Sequence, residues 1–165
     1  MLSKGRIVIL ACFAGLGAMF LFFILYANSF QGDLEKVAIH VDSIKVLDEN
    51  KLNKRAHIDV IFNFVNPTPI TLTVSTINYE LFANGNKLGE GHLSTEDIPE
   101  AGRPILFAKN NATLPNTFDL VNSESIANEY SAIVNNQPVK YEIKGQATIQ
   151  SFLTAVTKDF DVTLG

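Results

Sequence analysis

Three histidines, His40, His57 and His92, are the residues best suited to acid–base or metal chemistry in this chain. Asp42 and Asp59 follow the first two at a distance of two residues. If neighbouring strands brought His40 and His57 together, two imidazoles flanked by carboxylates could hold a divalent cation. The competing reading is a solvated sheet face, because these residues fall out of phase with the apolar positions around them. No His-Glu-x-x-His spacing occurs, and the single cysteine, Cys12, sits in an apolar run. A Gly-x-Ser-x-Gly elbow is also absent. Gly89-Glu90-Gly91 lacks the lysine and the helix that a phosphate loop requires. Glu96, Asp97 and Glu100 gather in one loop, either as weak Ca²⁺ ligands or as a hydrated acidic turn. Asn111-Ala112-Thr113 is an acceptor sequon for N-glycosylation. These patterns predict a protein without catalytic, metal or cofactor residues.

The elements that would carry these residues begin with Ile7 to Tyr26, an uncharged run of apolar and small residues. As a helix it would extend about 30 Å, the thickness of a bilayer's hydrocarbon core. Lys4 and Arg6 precede it, and Asp33 and Glu35 follow it. By the positive-inside rule the N-terminus is expected in the cytoplasm and the rest outside. Residues 1–6 then form a cytoplasmic N-terminus, 7–26 a signal-anchor helix, 27–36 a polar linker and 37–165 one exterior domain. Two other readings of the segment stay open. Ala27-Asn28-Ser29 has the small residues of a signal-peptidase site, which would release a secreted domain. Ile9-Leu10-Ala11-Cys12 loosely resembles a lipidation box. Ala11 with Gly15, and Ala14 with Ala18, have the four-residue spacing that permits weak self-association of membrane helices.

Removing Lys4 and Arg6 from 13 basic residues leaves 11 against 17 acids, so the exterior part carries −6. Such a charge excludes nucleic acid as the expected partner and disfavours electrostatic capture by anionic lipid. With its one cysteine inside the apolar run, the exterior domain has no disulfide and relies on packing and hydrogen bonds.

Alternation with period two dominates from Val37 onward. Val37, Ile39 and Val41 share a phase that slips near Asp42-Ser43 and resumes at Ile44 and Val46, which predicts a bulge. Residues 48–55 read as a charged loop. Ile58, Val60, Phe62 and Phe64 mark the next strand, stopped by Asn66-Pro67-Thr68-Pro69. Ile70 to Leu81 is a long strand with a slip at Ser75-Thr76, and Asn84-Gly85 is a two-residue hairpin signal. Ile105, Phe107 and Leu114 suggest a further strand. Phe118, Val121 or Leu120, Ile126, Tyr130 and Ile133 suggest an amphipathic helix between Thr117 and Val134. Val139 to Gln150 and Phe160 to Leu164 complete the pattern, with Gly145 on an inner face. The sum is an all-β-dominated antiparallel sandwich of about seven strands with one late helix.

Val60 to Phe107 carries a more specific pattern. An apolar strand runs into Asn-Pro-x-Pro, and a long strand with an apolar-x-Tyr step follows. A hairpin, a glycine-containing return strand and an Ile-Pro-x-x-Gly turn come next. The matching residues are Asn66, Pro67, Pro69, Ile77, Tyr79, Gly85 (after Asn84), Gly89, Ile98, Pro99 and Gly102. In order and spacing this resembles the group 2 late embryogenesis abundant proteins, whose unit is also called the water stress and hypersensitive response (WHy) domain. The resemblance implies a sandwich like those of immunoglobulin or fibronectin type III domains. It also implies a non-catalytic role in desiccation or osmotic stress, exerted on neighbouring proteins or membrane surface. The alternative expectation is an accessory subunit or interaction module of a membrane or cell-surface complex. The residues alone read as turn chemistry at Asn66-Pro67-Thr68-Pro69 and Asn84-Gly85.

Overall fold

Alternating burial is the organising feature of the computed structural model, which describes residues 4–96, 98 and 102–165. Among these, eight strands form two antiparallel sheets. The strands are β1 (Ala38–Asn50), β2 (Arg55–Asn66), β3 (Leu72–Ala83), β4 (Asn86–Ser94), β5 (Ile105–Leu106), β6 (Asn110–Val121), β7 (Tyr141–Gln150) and β8 (Ala155–Leu164). One sheet has the order β1-β2-β6, and the other has β4-β3-β7-β8, with β5 extending the β4 edge along β3. The helix α1 (Lys4–Leu34) precedes the strands, and α2 (Ala127–Val134) lies between β6 and β7.

Every second residue of β2 from Ala56 to Phe64 is fully buried, and Ile77, Tyr79, Leu81 and Ala83 of β3 face it from the other sheet. The Phe62 ring makes edge contacts with Tyr79 at 5.1 Å and Phe160 at 5.9 Å between centroids. This layer of aromatic and branched side chains drives the two sheets together. The sequence slips mark real irregularities. The β1–β2 register breaks between Val41 and Ser43, and the β3–β7 register breaks between Val74 and Thr76. Ser75, buried at the second break, lends its carbonyl to the Thr95 amide at 2.8 Å. Asn84 and Gly85 both take positive φ, as the tight β3–β4 hairpin requires.

Three expectations are revised. The predicted helix from Thr117 is mostly absent, because Phe118 and Leu120 belong to β6 with alternating burial. Between 117 and 134 helical structure is confined to a 3-10 turn at Glu124–Ile126 and α2. Phe118 and Leu120 satisfy both periods. Second, Ile105 and Phe107 do not continue to Leu114; β5 is two residues long, Phe107 is exposed, and β6 starts afresh at Asn110. Third, residues 27–34 are not a loop but the last turns of α1. Leu34 is fully buried in the sandwich, as is Val37 just past the helix. Burial of Leu34 holds this polar stretch in the helix despite Gly32.

One end of the sandwich therefore receives α1. The same end holds the β2–β3 connection (67–71), the loop before β5, the β5–β6 connection (107–109) and the β7–β8 turn (151–154). The far end holds residues 51–54, the Asn84-Gly85 hairpin and α2.

Candidate interaction surfaces

The Asn66-Pro67-Thr68-Pro69 segment is built around one buried amide. Asn66 Nδ2 donates to the carbonyls of Ile70 at 2.8 Å, Leu106 at 3.2 Å and Phe107 at 3.0 Å. Its Oδ1 accepts from the Thr68 amide at 3.0 Å and the Thr68 hydroxyl at 2.7 Å. Asn66 and Thr68 are buried, whereas Pro67 and Pro69 are exposed. The prolines remove amide donors from a segment that no strand pairs with, and Asn66 ties it to β5. In the neighbouring loop, Arg103 donates to the carbonyls of Ile98 and Glu96, at 2.9 and 3.0 Å. A side chain on Gly102 would touch Ile98. Pro99, with Asp97 and Glu100, lies outside the described residues.

The other motif residues sit elsewhere. Asn84 exchanges hydrogen bonds with the backbone of Lys140, its amide donating at 2.8 Å and its Oδ1 accepting at 3.0 Å. Tyr79 lies across the glycine of its β4 partner, Gly91, where any Cβ would collide with the ring. On the other side Gly145 lets β7 approach the backbone of Asn78 and Tyr79. The Tyr79 hydroxyl donates to Asn116 Oδ1 at 2.7 Å, bridging the sheets. Burial, assisted by the negative charge of Asp59, raises its pKa well above the ordinary phenol value. The structure thus divides the motif residues among the α1 end, the far hairpin and the core.

The histidines do not converge. His40 faces Asn63 and His57 faces Asp48 on the same strand pair, eight positions apart along β1. The cation site that would need both imidazoles is not formed. His57 Nδ1 lies 2.7 Å from Asp48, and its Nε2 lies 3.9 Å from Asp119, which also accepts from Arg55. The two carboxylates sit on opposite sides of the ring and cannot share a metal with it. Among the described residues no group of three His, Cys, Asp or Glu side chains could hold a metal ion. His92 pairs with Asn78 through Nδ1 at 2.5 Å. Asn111 of the sequon is exposed at the start of β6.

A depression of about 810 Å³ forms a shallow groove on the outer face of the larger sheet. Asn78, His92, Gln146 and Asp159 form one row of its floor. Lys144 lies beside Glu142 and Asp161, and Lys87 bridges Glu80 and Glu90. These acids raise the pKa of both lysines, with the bonds to Glu80 and to Glu142 the leading causes, and Lys87 lowers that of Glu90. The charged side chains of this face are paired with one another across an exposed sheet surface.

The apolar side chains left uncovered at the α1 end carry a signal missing from the sequence reading. Phe152 is 98 % exposed and Phe107 56 %, with Leu153, Ile105 and Ile98 also exposed. Ile105 and Phe152 line one cleft of about 260 Å³, floored by Thr71, Leu72 and Thr73. The turn that lifts Phe152 is tightly made. The Ser151 amide donates to the Thr154 carbonyl at 2.8 Å, and Ser151 Oγ accepts from the amides of Leu153 and Thr154. Phe-Leu at a hairpin tip, where Gly, Asn or Asp usually stand, was the readable clue. The far end exposes Leu47, Leu52 and Val121. Along α1 the large apolar side chains from Val8 to Tyr26 are uncovered by the domain.

No family model matches the chain. It is similar to the uncharacterized protein MJ1138 of Methanocaldococcus jannaschii, with 26% identity over 143 residues, covering 86% of this chain and 76% of that protein. Among solved structures it resembles AT1g01470 from Arabidopsis thaliana, with a TM-score of 0.50 and 17% identity over 76% of this chain and 80% of that one. A further likeness is to At2g46140.1, provisionally described as a late embryogenesis abundant (LEA) protein. It has a TM-score of 0.48 and 10% identity over 98% of this chain and 90% of that one. Among the described residues one N-terminal helix is long and apolar enough to cross a membrane or to serve as a signal anchor. It leads into a two-sheet antiparallel sandwich that shares its fold with the Arabidopsis protein AT1g01470.

Proposed function

We propose that this chain is a membrane-anchored, non-catalytic sandwich of the group 2 late embryogenesis abundant (WHy) type. Residues 7–26 cross the bilayer with the N-terminus in the cytoplasm. Residues 37–165 stand outside as a hydrated, acidic domain that keeps neighbouring proteins or bilayers apart when water is lost. The observation that carries this reading is the junction: an uncovered apolar helix runs without a break into the core of a folded domain. Supporting it are the Asn66 to Gly102 motif order and the charge of −6 beyond the helix. A folded spacer of this kind acts by steric and electrostatic repulsion rather than by becoming disordered.

The test uses the whole chain reconstituted into phosphatidylcholine vesicles, which are dried and rehydrated. Vesicles bearing the chain should fuse and leak less than vesicles bearing an inert anchored acidic domain of equal size. Equal fusion in the two preparations removes the protective role.

A further inference from the structure

The apolar tip lies at the end of the sandwich that receives α1. Phe152 and Leu153 top the β7–β8 turn, Ile105 shares a cleft with Phe152, and Phe107 follows Ile105 along the same edge. These residues are not loosely placed. Ser151 fixes the turn, and Asn66 holds the carbonyls of Leu106 and Phe107. A soluble face has no reason to fix two phenylalanines and two aliphatic side chains into water at adjacent sites.

The tether says what covers them. From Tyr26 to Leu34, α1 rises only about 12 Å. A bilayer's headgroup layer occupies about 5–8 Å of that distance on each side. Lys158 Nζ also holds the chain just past the helix, donating to the carbonyls of Glu35 at 2.6 Å and Val37 at 2.5 Å. The α1 end is therefore kept within side-chain reach of lipid at all times, whereas any other partner must compete with that surface. Charge does not drive the contact, since Glu35 and Glu96 lie at the same end and its cations are already occupied. Lys36 is paired with Asp33, and Arg103 and Lys158 are spent on backbone carbonyls. We infer that this end docks on the bilayer, with Phe152 and Leu153 entering the lipid interface and Phe107 and Ile105 lying at headgroup level. Amphipathic seating by a few aromatic and aliphatic side chains is how interfacial segments bind without net positive charge. This inference rests on α1 crossing the membrane.

The chain contains no tryptophan, so one can be introduced as a unique reporter. Full-length Phe152→Trp and, at the far end, Leu52→Trp (Leu52 is 96 % exposed) are reconstituted into phosphatidylcholine vesicles with or without brominated acyl chains. Tryptophan at 152 should emit at shorter wavelength than tryptophan at 52 and be quenched by about twofold in brominated vesicles, while position 52 stays unquenched. Emission at 152 matching that at 52, without quenching, overturns the docking. So does a blue-shifted but unquenched signal, which means burial against protein such as a second copy. Flotation of the same vesicles after alkaline extraction separates the two readings. Protein that floats but is not quenched keeps its anchor and loses the docking; protein that does not float loses both.

Discussion

At the scale of single residues, Asn66 shows how one side chain can define a motif. Its amide serves three carbonyls and accepts from two donors in a space closed to water. Asn66→Ala should therefore cost about 3 kcal/mol in urea unfolding, since each buried group left unpaired costs about 1–3 kcal/mol. Asn66→Asp should cost at least as much despite its matching shape, because a carboxylate has no donor for those carbonyls. A fully stable Asp variant would contradict this account. Tyr79 makes a pH prediction. Burial raises its folded-state pKa above the unfolded value near 10. The folded state thus holds the phenol proton more tightly. Its contribution is complete below about pH 10 and is lost as pH rises from there towards the folded pKa. Tyr130 and Tyr141, also raised by burial, act with the same sign. Tyr79→Phe should lose about 1 kcal/mol near neutral pH with the Asn116 bond, yet show a shallower decline above pH 10. Unfolding midpoints measured from pH 8 to 11.5 would show both effects; an unchanged alkaline slope would contradict the assignment.

At the scale of elements, the legible parts of the sequence were those where local pattern and tertiary burial agree. β2 alternates through its whole length, the slips at Asp42-Ser43 and Ser75-Thr76 fall where registers break, and Asn84-Gly85 turns as its backbone preference demands. The end of β6 was obscured because Phe118 and Leu120 fit a helical stripe together with Ile126 and Tyr130; only pairing with β2 decides between the two periods. Residues 27–34 looked like a linker because polarity was their strongest local signal, while the burial that keeps them helical comes from the folded domain. Phe107 was hidden for the same reason, since its exposure is a property of the assembled end, whereas Phe152 carried a local clue in its place at a turn tip. The junction gives a prediction at this scale. Lys158→Met removes the cation that caps the carbonyls of Glu35 and Val37. Amide exchange from residues 34–38 should then speed up by roughly tenfold, the equivalent of about 1.5 kcal/mol for a charged hydrogen bond, with the strands unaffected. Unchanged exchange there would mean that Leu34 and Val37 hold the junction without it.

At the scale of the whole molecule, the proposed protective action depends on the acidic sandwich standing off the bilayer, and the docking at its α1 end decides how it stands. Vesicle drying and tryptophan quenching therefore probe the same assembly from its two ends. The unbroken course of α1 into the domain has a mechanical meaning as well. The apolar stretch is about 30 Å long, and a bilayer whose hydrocarbon core measures about 27 Å is matched by leaning the helix about 25°. A flexible joint would absorb that lean. With Leu34 and Val37 buried in its core the sandwich would follow it, and 12-residue strands at about 3.3 Å per residue make the domain a lever of roughly 40 Å. Its outer tip would swing sideways by about 17 Å, so that in the proposed anchored arrangement membrane thickness would be written into the direction in which the protein points.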